Sequence, residues 1–169
     1  MNAQELLRGQ FEQAHQLLEG TIGDVEAAIL NHRDAAWKIN PIGTIYSHVA
    51  IAEDAMVNRM ALGREPLLAR GGWGEKLGIT EMSPRQVDVP VDFAVDLETA
   101  QAFAQAVAAE TNDFLSSASE EVLSKEIDGA FGKSTVIGFL ATIGITHVAG
   151  HWGEIAALKG VQGQQGLAF

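Results

Sequence analysis

Ile145-Thr146-His147-Val148-Ala149-Gly150-His151-Trp152-Gly153-Glu154-Ile155 is the stretch on which the reading of this chain turns. A spacing of four on a helix stacks His147 and His151 on one face, one turn apart. Two imidazoles so placed suit a single metal ion, which binds imidazole nitrogen at roughly 2.0–2.1 Å. Glu154 lies three residues beyond His151 and shares that face. Two histidines hold a metal poorly by themselves. A third is offered by His48, in Ile45-Tyr46-Ser47-His48-Val49-Ala50, a second apolar stretch with helical spacing. Histidines on apolar faces of two helices point into a bundle core, where helical bundles build their metal sites.

Working outward, the pattern predicts four long helices. The first covers 3–22, with Asn2 and Glu5 as a capping box and Leu7, Phe11, Ala14 and Leu18 as its apolar stripe. A short helical piece follows over 24–30. The second long helix is expected over 40–62, with Asn40 as cap, Pro41 in the first position and Gly63 as its stop. Glu53 and Asp54 rotate off the His48 face and are assigned to the surface. Residues 63–95 form a long connection rich in Gly and Pro, a candidate lid, wall or interface. The third helix begins after Asp96 and carries Leu97, Phe103, Val107, Phe114 and Leu115. A helical turn after Ser119 and a loop at Asp128-Gly129 come next. The fourth helix runs from Ser134 or Thr135 to Lys159, with Gly160 as a left-handed cap, and 161–169 is irregular.

These motifs are similar to those of the DinB/YfiT-like superfamily of four-helix-bundle metalloproteins. The resemblance rests on Trp37 before the second helix, on the Ile45-to-Ala50 run, on His147-x-x-x-His151-x-Gly153-Glu154-Ile155, and on the closing Leu158-Lys159-Gly160-Val161-Gln162-Gly163. It covers nearly the whole chain. It implies one all-α domain over 1–169, an up-down-down-up bundle with a long crossover between helices 2 and 3. It also implies one divalent metal held by His48, His147 and His151; imidazole ligands suit Zn, Ni or Fe among others. Many members carry Gln where this chain has Glu154, which leaves three readings open there: fourth ligand, partner orienting a ligand, or ordinary polar residue. Some relatives resemble thiol-dependent transferases or isomerases that use mycothiol or bacillithiol.

Three neutral ligands leave an open coordination position, the mark of a catalytic rather than a closed structural site. With no cysteine in the chain, a thiol nucleophile would come from a low-molecular-weight cosubstrate. The expected function is metal-dependent chemistry on a small molecule, by thiol transfer or hydrolysis. The alternative is a bundle or dimer module that binds metal or ligand without turnover. Trp37, Tyr46, Trp73 and Trp152 are candidate walls of a pocket over the metal. His15 and His32 are assigned structural or solvated roles.

Composition narrows the partners. The 169 residues are 47% hydrophobic and 20% charged, which fits a folded domain with a substantial core. A net charge of −11 with scattered Lys and Arg repels nucleic acid and anionic membrane. No signal-type start and no 18-residue uncharged apolar run is present, so a cytoplasmic protein without membrane contact is expected. A homodimer is expected because bundles of this kind often pair.

Overall fold

The computed structural model describes residues 2–79, 94–129 and 132–167. Helix α1, Ala3–Ile22, starts as the sequence predicts. Asn2 Oδ1 accepts from the Glu5 amide at 2.8 Å, and Glu5 Oε2 accepts from the Asn2 amide at 2.9 Å. Short α2, Ala27–Leu30, leads to α3, Ile42–Asp54, which continues as a π-helical stretch, Ala55–Ala61. Gly63, at φ +66°, ends it. The start of α3 differs from expectation. Pro41 is the extended cap residue rather than the first helical one, and no side chain caps the helix. The Pro41 carbonyl already accepts from Ile45, so Asn40 lies one residue too early to reach an orphan amide.

The described part of the long connection holds two short helices, α4 (Leu67–Arg70) and α5 (Trp73–Lys76). The remainder of the predicted crossover, 80–93, lies outside the described residues. Helix α6, Leu97–Ser117, is capped by Asp96, and α7, Glu120–Ser124, by Ser119. The loop expected at Asp128-Gly129 is instead half of a hairpin. Strand β1, Glu126–Gly129, pairs antiparallel with β2, Gly132–Thr135, from Glu126↔Thr135 to Gly129↔Gly132. Four-residue strands of mixed polarity carry too few β-branched residues for a period of two to be read.

Thr135 caps the last long helix, made of α8 (Val136–Phe139), a π-helical stretch (Leu140–Gly144) and α9 (Ile145–Val161). It does not stop at Gly160. The left-handed glycine is Gly163, at φ +87°. Val136–Val161 is long and apolar enough to cross a membrane by length and composition. In this fold it forms one wall of the bundle.

Helix α1 packs on α6 and α9, and α3 packs on the same two, so α1 and α3 lie across the bundle from each other. Gln4, at the start of α1, donates to the Leu115 carbonyl near the end of α6, at 2.6 Å, which makes those helices antiparallel. Gly43 and Val95 meet where α3 and α6 begin, and Asn58 reaches Glu110 at their far ends, so α3 and α6 run parallel. Lys159, near the end of α9, donates to the Thr21 carbonyl at the end of α1 (2.8 Å), so those two run parallel. The order is up, down, down, up. Parallel neighbours α3 and α6 need a connection that travels back along the bundle, which is the physical reason for the long 62–96 segment.

Every residue from 41 to 58 is buried except His48, which is half-buried. Glu53 and Asp54 are therefore not on the surface. Helix α3 is covered on every side except around His48, so rotation off the His48 face leads to a buried face. Glu53 accepts from Thr111 Oγ1 at 2.6 Å and meets His15 Nε2 at 2.8 Å. Asp54 accepts from the Leu67 and Leu68 amides, each at 2.8 Å, and from Asn58 Nδ2 at 2.6 Å. Asp54 thus caps α4 and fixes the connection onto α3.

Burial alone would push the His15 pKa down, but the hydrogen bond and charge of Glu53, with the charge of Glu19, push it up overall. The stability that protonated His15 contributes is complete below pH 6.5 and is lost as pH rises through its higher folded value. In urea titrations from about pH 5 to 9, the advantage of the native chain over His15→Gln should shrink as pH rises. A pH-independent difference would contradict this.

Gly144 sets a close approach, since a Cβ there would lie 2.9 Å from Phe11 Cζ. Gly153 has open space around it. Gly144→Ala should lower the unfolding midpoint, because overpacking costs about 1–3 kcal/mol against a helix-propensity gain of up to about 1 kcal/mol. Gly153→Ala, which has only the gain, should raise it. Equal shifts in thermal melts of the two variants would contradict the packing account.

Candidate metal centre

Antiparallel packing of α3 on α9 brings His48 opposite the one-turn interval between His147 and His151. His48 Nε2 and His147 Nε2 are 3.0 Å apart. Ring centroids are separated by 4.9 Å for His48–His147, 5.1 Å for His48–His151 and 4.6 Å for His147–His151. One ring nitrogen from each histidine lies within 4.8 Å of the other two, and this trio is the group among the described residues that can hold a metal ion. A tetrahedral ion with bonds of about 2.0–2.1 Å separates its ligand nitrogens by about 3.3 Å. The 3.0 Å contact is close to that, and loading would draw the remaining nitrogen separations, which lie within 4.8 Å, towards the same value.

The electrostatics also fit. Burial, followed by the neighbouring His151 and His48, holds the His147 pKa down to about 4. The imidazole is therefore neutral at neutral pH, with a lone pair to offer. Its Nδ1 is buried without a hydrogen-bond partner among the described residues. His151 differs, because its Nδ1 meets Glu154 Oε2 at 2.6 Å. A ring held through Nδ1 has Nε2 left for an ion, the usual arrangement of metal-ligating histidines. All three histidines are half-buried, so the cluster is reachable from solvent.

Each of the four predicted pocket aromatics has a contact of its own elsewhere in the bundle. Trp37 stands edge-on to His32, at 5.7 Å between centroids. The Tyr46 hydroxyl, fully buried, donates to Glu19. Trp73 packs on Phe103 at 5.6 Å and carries Lys76 over its ring. Trp152 Nε1 donates to Thr21 Oγ1 at 2.8 Å. The sequence reading missed two hydroxyls on the His48 helix. Thr44 Oγ1 and Ser47 Oγ are buried without a partner among the described residues. Their spacing from His48, four residues and one, was the available signal.

Among solved structures the chain is similar to a conserved protein from Enterococcus faecalis, at 20% identity and a TM-score of 0.74, covering 94% of this chain and 96% of that one. That likeness concerns the fold. No curated protein sequence matches the chain. The model of the DinB superfamily matches residues 10–155, a span that contains all three histidines. With the bundle, its helix directions and this match together, the chain belongs to the DinB superfamily.

Proposed function

We propose that this chain is a metal-dependent enzyme acting on a small molecule, with one divalent ion (Zn, Ni or Fe) held by His48, His147 and His151. The convergence of three ring nitrogens at a solvent-reachable place carries the proposal. Bound there, the ion would act as a Lewis acid towards a polar group of the substrate. The histidines hold it with neutral donors, so its positive charge stays available. Thiol transfer and hydrolysis are the two reactions this set supports. In a chain without cysteine, the first would draw its thiol from a cosubstrate. Elemental analysis of protein purified without an affinity tag should find one metal per chain. Substoichiometric metal that stays low after Zn, Ni and Fe are supplied would end the proposal. Thiol-dependent turnover then separates the two reactions.

Glu154 is proposed as the group that orients His151, on the strength of the 2.6 Å contact to Nδ1. Glu154→Gln keeps the shape and removes the charge. It should weaken metal affinity by roughly 10–100-fold, the usual cost of losing such a partner. The exposed Glu120→Gln should leave affinity unchanged. Equal affinities in the two variants would return Glu154 to an ordinary helix residue.

A further inference from the structure

Thr44, Ser47, His48, Ile51 and Ala55 are spaced i, i+3, i+4, i+7 and i+11, which puts them along one stripe of α3 and its π-helical continuation. The stripe has a polar end and an apolar end. At the polar end, Thr44 and Ser47 are 2% and 1% exposed, and their hydroxyls have no partner among the described residues. Buried hydroxyls are ordinarily hydrogen-bonded, so an unmet pair beside a metal ligand points to a group that arrives from outside. At the apolar end a partly enclosed cavity of ≈ 180 Å³ opens between α3 and the roof formed by α4 and α5. Its walls include Ile51, Ala55, Pro66, Leu68 and Ile79, with the Asp54 carboxylate at one side. That carboxylate is already engaged by the Leu67 and Leu68 amides and by Asn58, so it holds the roof in place and leaves the space apolar in character. The histidines are not among the walls. The cavity begins at Ile51, one turn past His48, a rise of about 4.5 Å.

We infer that the substrate at this metal site has a polar head, met by the Thr44 and Ser47 hydroxyls beside His48, and an apolar tail of about six carbons that lies in the cavity under α4 and α5. This rests on the metal reading given above. The size follows from volume, because an apolar cavity of roughly 150 Å³ accepts a benzene ring. The reach follows from the helix, because Ile51 to Ala55 lies about 4.5–10.5 Å along the axis from His48, the length of a short alkyl chain. Asp54 is already held by three donors and the other named walls are apolar, so an uncharged hydrocarbon is the chemistry that the space fits.

Straight-chain aliphatic hydroxamates test this, since their head binds metal and their tail can be lengthened one methylene at a time. Titration calorimetry on the zinc-loaded full chain should show affinity rising from acetohydroxamate to about the hexanoyl compound, by up to about fourfold per buried methylene, then levelling off. Ala55→Leu, which fills the cavity, should flatten the rise while acetohydroxamate binds as before. Ile51→Ala, which enlarges it, should move the plateau to a longer chain. Ser47→Ala should weaken all the hydroxamates by a similar factor of about five, the worth of one hydrogen bond. Zinc uptake with an affinity independent of tail length, or a rise unchanged in both cavity variants, overturns the inference while the metal site stands. Failure to bind acetohydroxamate at all also overturns it. Failure to take up zinc falls instead on the proposed function.

Discussion

His147→Ala is expected to lower divalent-metal affinity by more than about 100-fold, beyond the roughly 10–100-fold that loss of a ligand's orienting partner costs. The histidine supplies one of three converging nitrogens, and its Nε2 already faces His48 Nε2 at 3.0 Å. The fold should survive. The large buried side chains, among them Tyr46, Phe11, Phe103 and Leu115, lie outside the cluster, and a bundle of this size does not need the ion to stand. Bound metal should still add stability by mass action, about 2.7 kcal/mol at one hundred times the dissociation constant. Zinc should therefore raise the melting temperature of the native chain and leave that of His147→Ala nearly unmoved, with the two apo forms giving the same helical circular dichroism. Unfolding of the apo protein, or an equal zinc shift in both, would contradict the account.

Asp54→Ala should cost about 3 kcal/mol of stability, a fall of about 6–12 °C in melting temperature for a chain of this length. Asp54 is 1% exposed and accepts three hydrogen bonds. Its removal leaves two amides at the start of α4 unmet and takes one of the partners of Asn58, which also donates to Glu110 and accepts from Arg64. Removing a buried charge returns some of its desolvation cost, which keeps the figure from being larger. Asp113→Ala, on the outer side of α6, is the control and should change stability by under about 0.5 kcal/mol. A loss at Asp54 no greater than the control's would mean that the α4 roof is held by other contacts.

The contrast between these two sites explains how far the sequence could be read. Helix α1 was legible to both ends, because its capping box is local chemistry and Leu7, Phe11 and Leu18 mark one buried face of an otherwise polar helix. Asp96 and Ser119 announced α6 and α7 for the same reason. The histidine trio was legible because a spacing of four is a statement about one helix face, and a third His lay on another apolar helix. Glu53 and Asp54 were not. Periodicity distinguishes an inner from an outer face, and α3 has no outer face once α4 and α5 cover it. The π-helical stretches Ala55–Ala61 and Leu140–Gly144 are invisible to a 3.6-residue period, and each shifts the helical phase of the residues after it. The stop at Gly163 rather than Gly160 is tertiary in origin. Lys159 is tied to the Thr21 carbonyl and to Asp24, and Gln164 to the Asp24 carbonyl and the Glu26 amide, so the end of α9 is carried past the first glycine that could have ended it.

X-ray absorption at the metal edge of the zinc-loaded full chain tests the central claim most directly. The account predicts three imidazole nitrogens at about 2.0–2.1 Å, with the outer-ring scattering that marks histidine, reduced to two in His48→Ala. A first shell of carboxylate and solvent oxygens, or a spectrum unaltered by His48→Ala, would show that the ion binds elsewhere and that the three histidines are not its ligands.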